Sequence, residues 1–202
     1  MILAGGQARR MNGADKPLLI LAGRTLMEHV IERAAPQVDE LLINANDDLS
    51  RFDRFGRILV SDPVGGYPGP LAGILSAFEW TKQNRPAARW LVSFACDCPF
   101  LPRDLVSRLT TAAQNSGVQV AAAANGNRHH PVFTAWSTDL PLDARDILLA
   151  RGLRKVDDLV GAFPNTYVQF SKNPIDPFFN INTPDDLTHA EALADVGVRT
   201  NA

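Results

Sequence analysis

The chain has 202 residues, 46% of them hydrophobic and 21% charged, with a net charge of −2. That length fits one domain, burying roughly 70% of the surface its unfolded chain would expose, and the faintly acidic balance excludes a general nucleic-acid binder, which needs a broad basic excess. Only Cys96 and Cys98 are available for a disulfide framework, so none is expected; no signal peptide precedes Gly5 and no apolar run reaches about 18 residues, so a soluble cytoplasmic protein that does not span a membrane follows.

The chain starts with the apolar run Met1-Ile2-Leu3-Ala4, which stops at the paired glycines Gly5 and Gly6. A strand over 1–4 is expected, either unusually short or beginning upstream of the sequence given. The loop that follows carries Arg9, Arg10 and Lys16 against one acid, Asp15. Glycines lack Cβ, so their peptide N–H groups approach an anion closely. Successive N–H groups make an anion-binding concavity, and cationic arms beyond it cover a polyphosphate. This is chemistry suited to a nucleoside triphosphate. Neither G-x-x-x-x-G-K-[ST] nor G-x-G-x-x-G occurs, so a P-loop ATPase and a standard dinucleotide-binding dehydrogenase lose support.

Leu26, Val30 and Ile31 form one stripe of a helix over 25–35. Further helices are expected over 70–84, 102–115, 139–150, 154–162 and 184–194, with Thr183 capping the last and Pro184 in its first turn. Strands are expected over 40–44, 57–61, 90–96 and 166–171. This alternation predicts an α/β fold: a doubly wound, mostly parallel sheet with helices on both faces. Segment 118–136 differs, reading as two strands joined at Asn125-Gly126-Asn127, a strong hairpin signal. It predicts a mixed sheet with the hairpin forming a lip over one edge.

Ligands of open α/β sheets bind beyond the carboxyl ends of the strands. The polar clusters gather there: Gly5-Gly6, Asn44-Ala45-Asn46, Ser61-Asp62 and Cys96-Asp97-Cys98. Asp97 ends the fourth strand, where Pro99 blocks its continuation. A carboxylate there suits Mg²⁺, which takes few protein carboxylates and fills its shell with phosphate oxygens and water. The competing role for Asp97 is a turn or N-cap for the following helix; Asp62 divides evenly between the same two roles. Cys96 and Cys98 lack the further ligands a zinc site requires, and are expected to share one face while Asp97 points to the other. His129 and His130 point in opposite directions on a strand, one toward a substrate phosphate or both toward solvent. Gly69 and Gly73 open a helix whose start can approach an anion, or simply punctuate it. Asn180 and Asn182, at alternate strand positions, share a face and can orient a ligand.

These blocks, from Leu3-Ala4-Gly5-Gly6 through Asp15-Lys16, Asn44-Ala45-Asn46, Asp62, Pro68-Gly69-Pro70-Leu71-Ala72-Gly73, Cys96-Asp97-Cys98-Pro99 and His130-Pro131 to Asn180-Ile181-Asn182-Thr183-Pro184, arrive in the order found in a known family. The chain resembles the molybdenum cofactor guanylyltransferases, within the wider nucleotidyltransferase superfamily. The resemblance implies transfer of GMP from GTP to the phosphate of molybdenum-bound molybdopterin, with release of pyrophosphate. It implies that Leu3, Ala4, Gly5, Gly6 and Lys16 hold GTP, that Asn44 and Asp62 serve the nucleoside, and that Asp97 binds GTP and Mg²⁺. Lys16 and Arg10 would cradle the phosphates, while Gly69, Gly73, His130, Asn180 and Asn182 fall on the acceptor side. It also implies transient contacts with other cofactor-assembly proteins or apo-molybdoenzymes. Asn12 departs from the glycine common at that position; asparagine tolerates left-handed backbone better than most residues. The rival readings are a nucleotidyltransferase for another base or acceptor, such as a molybdopterin cytidylyl- or sugar-phosphate nucleotidyltransferase, and a non-catalytic nucleotide-binding assembly module.

Overall fold

The computed structural model describes residues 1–5, 15–46, 48–62, 69–143 and 146–200. Gly6, Arg9, Arg10, Asn12 and Pro68 therefore lie outside the described residues.

The strands are β1 (Ile2–Leu3), β2 (Ile20–Leu21), β3 (Arg24–Thr25), β4 (Leu42–Asn44), β5 (Ile58–Val60), β6 (Trp90–Val92), β7 (Phe94–Ala95), β8 (Val120–Asn125), β9 (Arg128–Ser137) and β10 (Asn165–Gln169). The helices are α1 (Leu26–Ala34), α2 (Pro70–Asn84), α3 (Leu105–Ser116), α4 (Val156–Gly161) and α5 (Pro184–Thr200). One four-stranded ladder runs β5-β4-β1-β7, all parallel, and a second runs β10-β8-β9-β6. They join through residues 90–95. There Ser93 N donates to Thr134 O at 3.0 Å, and the next amide, of Phe94, donates to Met1 O at 2.9 Å. The expected strand over 90–96 thus switches partners at Ser93, pairing antiparallel to β9 before it and parallel to β1 after it.

Period-two alternation sends successive side chains to opposite faces, and both faces are buried. Ile2, Ile43, Ala121 and Ala123 join Met27 and Val30 of α1 and Leu105 and Leu109 of α3 in one core. Leu3, Leu42, Val120 and Ala122 join Leu71, Ile74 and Phe78 of α2 in the other. A doubly wound sheet follows directly from that division.

The hairpin is not a lip over an edge. β8 pairs with β9 on one side and with β10 on the other, and its six residues are all buried. Its Val-Ala-Ala-Ala-Ala run suits an inner strand covered on both faces, and the exposed part of the hairpin is its end, residues 126–129. Helix 139–150 is also corrected: the described residues there form a π-helical turn, Asp146–Ala150, entered through Asp146 N donating to Asp143 Oδ1. Pro141 disfavours α-helical backbone at the residue before it, which removes the front of the expected helix. Helix α3 starts later than expected, and α5 runs on past residue 194.

Helix α2 coincides with expectation, from Pro70 at its first position. Gly73 sets how closely it approaches the sheet. A Cβ there would lie 2.5 Å from Leu3 Cδ2 and closer still to Asn44 Oδ1. Only glycine lets the first turn of α2 rest on the ends of β1 and β4.

Candidate active site

The parallel strands bring their carboxyl ends to one rim, with β1 in the middle. Ala4 N donates to Asn44 O at 2.8 Å, and Cys96 N donates to Leu3 O at 3.2 Å. The end of β1 is thereby stitched to the residues before Asn46 on one side and before Asp97 on the other. Gly5 and Asp97 belong to the same edge of the molecule.

On one side stands an ion pair. Lys16 Nζ lies 2.5 Å from Asp97 Oδ2 and 2.7 Å from Asn182 Oδ1, with the lysine and aspartate side chains 18% and 16% exposed. Lys16 opens a 3₁₀ turn, Lys16–Leu18, fixed by Pro17 and by Leu18 N donating to Asp15 O. Asp15 is tied to Arg51 at 3.3 Å. Asp97 is held by its own backbone, since Ile181 N donates to Asp97 O at 3.0 Å. With its amide nitrogen turned to the carboxylate, Asn180 donates to Asp97 Oδ1 at 3.0 Å and Oδ2 at 3.2 Å. Of the alternative roles for Asp97, that of capping α3 falls to Asp104, but Asp97 does lie in the turn that follows β7.

Asn180 and Asn182 lie in a loop without ladder pairing, yet both reach the Lys16–Asp97 pair. The loop is anchored by the start of α5. Asp186 accepts from Asn182 N at 2.9 Å and Thr183 N at 2.8 Å, while Asp186 N donates to Thr183 Oγ1 at 3.2 Å. These amide bonds hold the Asp186 carboxyl below its ordinary pKa. The cap expected at Thr183 is thus completed by Asp186 into a capping box, and this box also holds the loop that carries two site residues.

On the other side of β1 lies an amide–carboxylate cluster. Asp62 accepts from Asn44 Nδ2 at 3.0 Å on Oδ1 and from Asn46 Nδ2 at 2.6 Å on Oδ2. Asp62 N donates back to Asn46 Oδ1 at 2.9 Å. Asn44 Nδ2 also faces Val60 O at 3.0 Å and Ser76 Oγ at 3.3 Å. Gly5 stands over this cluster. A Cβ at that position would sit 3.5 Å from Asn46 Nδ2, an ordinary contact, so packing among the described residues does not require glycine there. Gly73, assigned by sequence to the acceptor side, instead packs on Asn44 and Leu3 and belongs to this group. Gly69 caps α2 with φ 147°, a conformation that side chains resist.

His130 turns neither to solvent nor to the Lys16–Asp97 pair. It is 7% exposed, packs against Phe178 with centroids 4.5 Å apart, and pairs through Nε2 with Asn125 Oδ1 at 2.8 Å. Asn125 Nδ2 in turn donates to Asp176 Oδ1 at 2.8 Å. Burial, with Arg128 and Lys172 opposing further positive charge, lowers the imidazole pKa to about 4, so it is neutral at physiological pH. His129 is exposed and stacks on Tyr167, centroids 3.7 Å apart. Cys96 and Cys98 are buried in the same core, and burial raises both thiol pKa values well above the ordinary range. They stay protonated, which leaves the rim with oxygen ligands.

Residues 1–162 match the family described as the MobA-like NTP transferase domain. The chain belongs to that family. Among curated relatives of this MobA-like chain, a molybdenum cofactor guanylyltransferase of Rhodopseudomonas palustris (strain BisB5) is 48% identical over 194 residues, covering 96% of the chain and 92% of the relative. Molybdopterin-guanine dinucleotide biosynthesis protein A from Archaeoglobus fulgidus shares the fold with a TM-score of 0.76 at 24% identity, covering 96% and 97% of the two chains. So does 2-C-methyl-D-erythritol 4-phosphate cytidylyltransferase from Thermus thermophilus, at a TM-score of 0.67, 22% identity, and 96% and 97% coverage. The MobA-like fold is thus one that nucleotidyltransferases of different base and acceptor share. Among the described residues no helix is long and apolar enough to cross a membrane.

The sequence presents Asn46 only as part of the strand-end cluster Asn44-Ala45-Asn46, with no role of its own, and does not single out Asp186 or Asn125 as site residues. Asn46 carried a usable signal, its i+2 spacing from Asn44 at a strand end. Asp186 acts locally, as the third helical residue after the Thr183 cap, whereas Asn125 joins His130 to Asp176, 51 residues further on.

Proposed function

We propose that this chain transfers GMP from GTP to the phosphate of molybdenum-bound molybdopterin, releasing pyrophosphate. The observation that carries this reading is the meeting of Lys16, Asp97 and Asn182 beside the end of β1. It puts a cation and a carboxylate where the turn after β1 would hold a triphosphate, and the guanylyltransferase relatives supply the base and the acceptor.

The donor chemistry fits Mg²⁺: a partly exposed carboxylate with amide oxygens nearby, and thiols kept protonated by burial. Asp97 would hold the ion, which when bound neutralises charge on the phosphates. Lys16 exchanges Asp97 for phosphate oxygens of GTP and acts as a compact point charge. Arg10 would supply a second, forked contact. Asn44 and Asp62 receive the nucleoside, and Gly5 lets the β1 turn come close to it. An oxygen of the acceptor phosphate attacks the α-phosphorus in line; the new O–P bond forms as the bond to the bridging oxygen breaks and pyrophosphate departs. The acceptor is already anionic, so no residue needs to become a covalent nucleophile. Asn180 and Asn182 keep Asp97 and Lys16 in register through this exchange. A cytoplasmic setting with transient contacts to cofactor-assembly proteins or apo-molybdoenzymes completes the proposal.

The test is to incubate the protein with GTP, CTP, ATP and UTP in turn, with Mg²⁺ and molybdenum-loaded molybdopterin, and to measure pyrophosphate and the dinucleotide product. GTP alone should give both. Product from another nucleotide in preference to GTP would contradict the assignment, as would the absence of pyrophosphate with all four.

A further inference from the structure

We infer that Asn46 is the positioning residue for nucleoside recognition, acting through Asp62 and not by touching the nucleotide. The inference rests on the proposed nucleoside role of Asp62 and deepens it.

Among the described residues the side-chain amide of Asn46 makes two bonds, and both go to the same residue. Its Nδ2 donates to Asp62 Oδ2 at 2.6 Å, and its Oδ1 accepts from Asp62 N at 2.9 Å. One planar group therefore fixes both the carboxylate and the backbone of Asp62. Asn44 also reaches the carboxylate, at 3.0 Å, but its Nδ2 faces two further acceptors, Val60 O and Ser76 Oγ. An amide nitrogen has only two hydrogens, so Asn44 divides its donors among three acceptors while Asn46 commits its amide to Asp62. Asp62 itself lies beyond the strand pairing, since β5 ends at Val60, two residues earlier, and its backbone N–H is held by Asn46.

The chemistry of the arrangement is directional. An ionised carboxylate has about four acceptor sites and no donor. The two amides take one site on each oxygen. The remaining sites can receive only N–H or O–H groups, which suits the N1–H and 2-amino donors of guanine or the hydroxyls of ribose. Releasing one oxygen lets the carboxylate rotate, and nucleotide affinity falls before the chemical step is touched.

The test uses the full chain and a fluorescent GTP analogue, read as Kd, with KM and kcat from pyrophosphate release. Asn46→Ala should raise Kd and KM for GTP roughly tenfold, the loss expected for a hydrogen bond to a charged group, and KM should rise more than kcat falls. Asn46→Asp retains an acceptor for Asp62 N but sets two carboxylates against each other. Its Kd, relative to wild type, should recover as pH is lowered from about 7 toward about 5, because such a pair comes to share a proton; Asn46→Ala should show no such recovery. In an Asp62→Ala background, Asn46→Ala should change Kd less than twofold. The inference is overturned if both Asn46 variants bind GTP as wild type does, or if the Asn46 and Asp62 effects simply add. Wild-type protein that binds no guanine nucleotide would instead remove the functional reading beneath it, and the inference with it.

Discussion

Replacing Gly73 by alanine tests the closest packing at the rim. The added methyl would stand 2.5 Å from Leu3 Cδ2 and inside the contact distance of Asn44 Oδ1. Ordinary contact needs roughly another 1 Å, and neither neighbour yields freely. Leu3 lies in the central strand, and Asn44 is 2% exposed and bonded to Val60 O, Asp62 and Ser76. Alanine favours a helix interior over glycine by about 1 kcal/mol. Overpacking typically costs about 1–3 kcal/mol, and turning Asn44 away leaves a buried amide short of partners at about 1–3 kcal/mol more. The net is a destabilisation of about 2 kcal/mol, or roughly 4–8 °C in Tm for a chain of this size. Thermal unfolding followed by circular dichroism measures it, and KM for GTP should rise as Asp62 loses one of its amides. A Gly73→Ala protein that melts at or above the wild-type temperature would refute the packing argument, because propensity alone predicts that sign.

Asp97→Ala should abolish turnover while leaving the far-ultraviolet spectrum and cooperative melting intact; an active variant removes Asp97 from the mechanism. His130 predicts a pH dependence. Its folded pKa is about 4 against an ordinary 6.5, so the unfolded chain takes the proton first as pH falls. Stability is therefore lost between about pH 6.5 and 4, by about 2 kcal/mol after allowing for partial solvent access; urea melts across that window should show a shallower slope for His130→Asn. Thr25→Ala removes the capping box of α1, in which Thr25 Oγ1 accepts from Glu28 N at 3.2 Å and Glu28 Oε2 accepts from Thr25 N at 2.7 Å. It should cost about 1 kcal/mol in denaturant unfolding with little effect on GTP binding.

The sequence carried the local part of this architecture well. Helix α2 could be delimited because Pro70 and Gly69 mark its start, and the order of strand ends could be read because each stops at a polar cluster. The partner switch at Ser93 was not legible, since it depends on which strands lie beside residues 90–95, and the apolar run itself is continuous. The hairpin was visible, but its interior place in the sheet was not: Ala-rich β8 looks like a modest strand until both flanking ladders are formed. Lys16 and Asp97 were legible as chemistry, though they stand 81 residues apart in the chain and only the fold brings them to 2.5 Å. Asn182, which accepts from Lys16, was expected on the acceptor side; nothing in Asn-Ile-Asn-Thr-Pro indicates that α5 returns its cap to the end of β1. His130 misled for the opposite reason. A histidine before proline resembles a ligand-facing residue, and only the burial of Phe178 and Asn125 shows it to be part of the packing.

A crystal structure of the protein with a non-hydrolysable GTP analogue and Mg²⁺ tests the central claim most directly. The account predicts the triphosphate between Gly5 and Asp97, with Lys16 Nζ transferred from the Asp97 carboxylate to a phosphate oxygen and the nucleoside beside Asp62. Nucleotide bound elsewhere on the molecule, with the Lys16–Asp97 pair still closed, would contradict it.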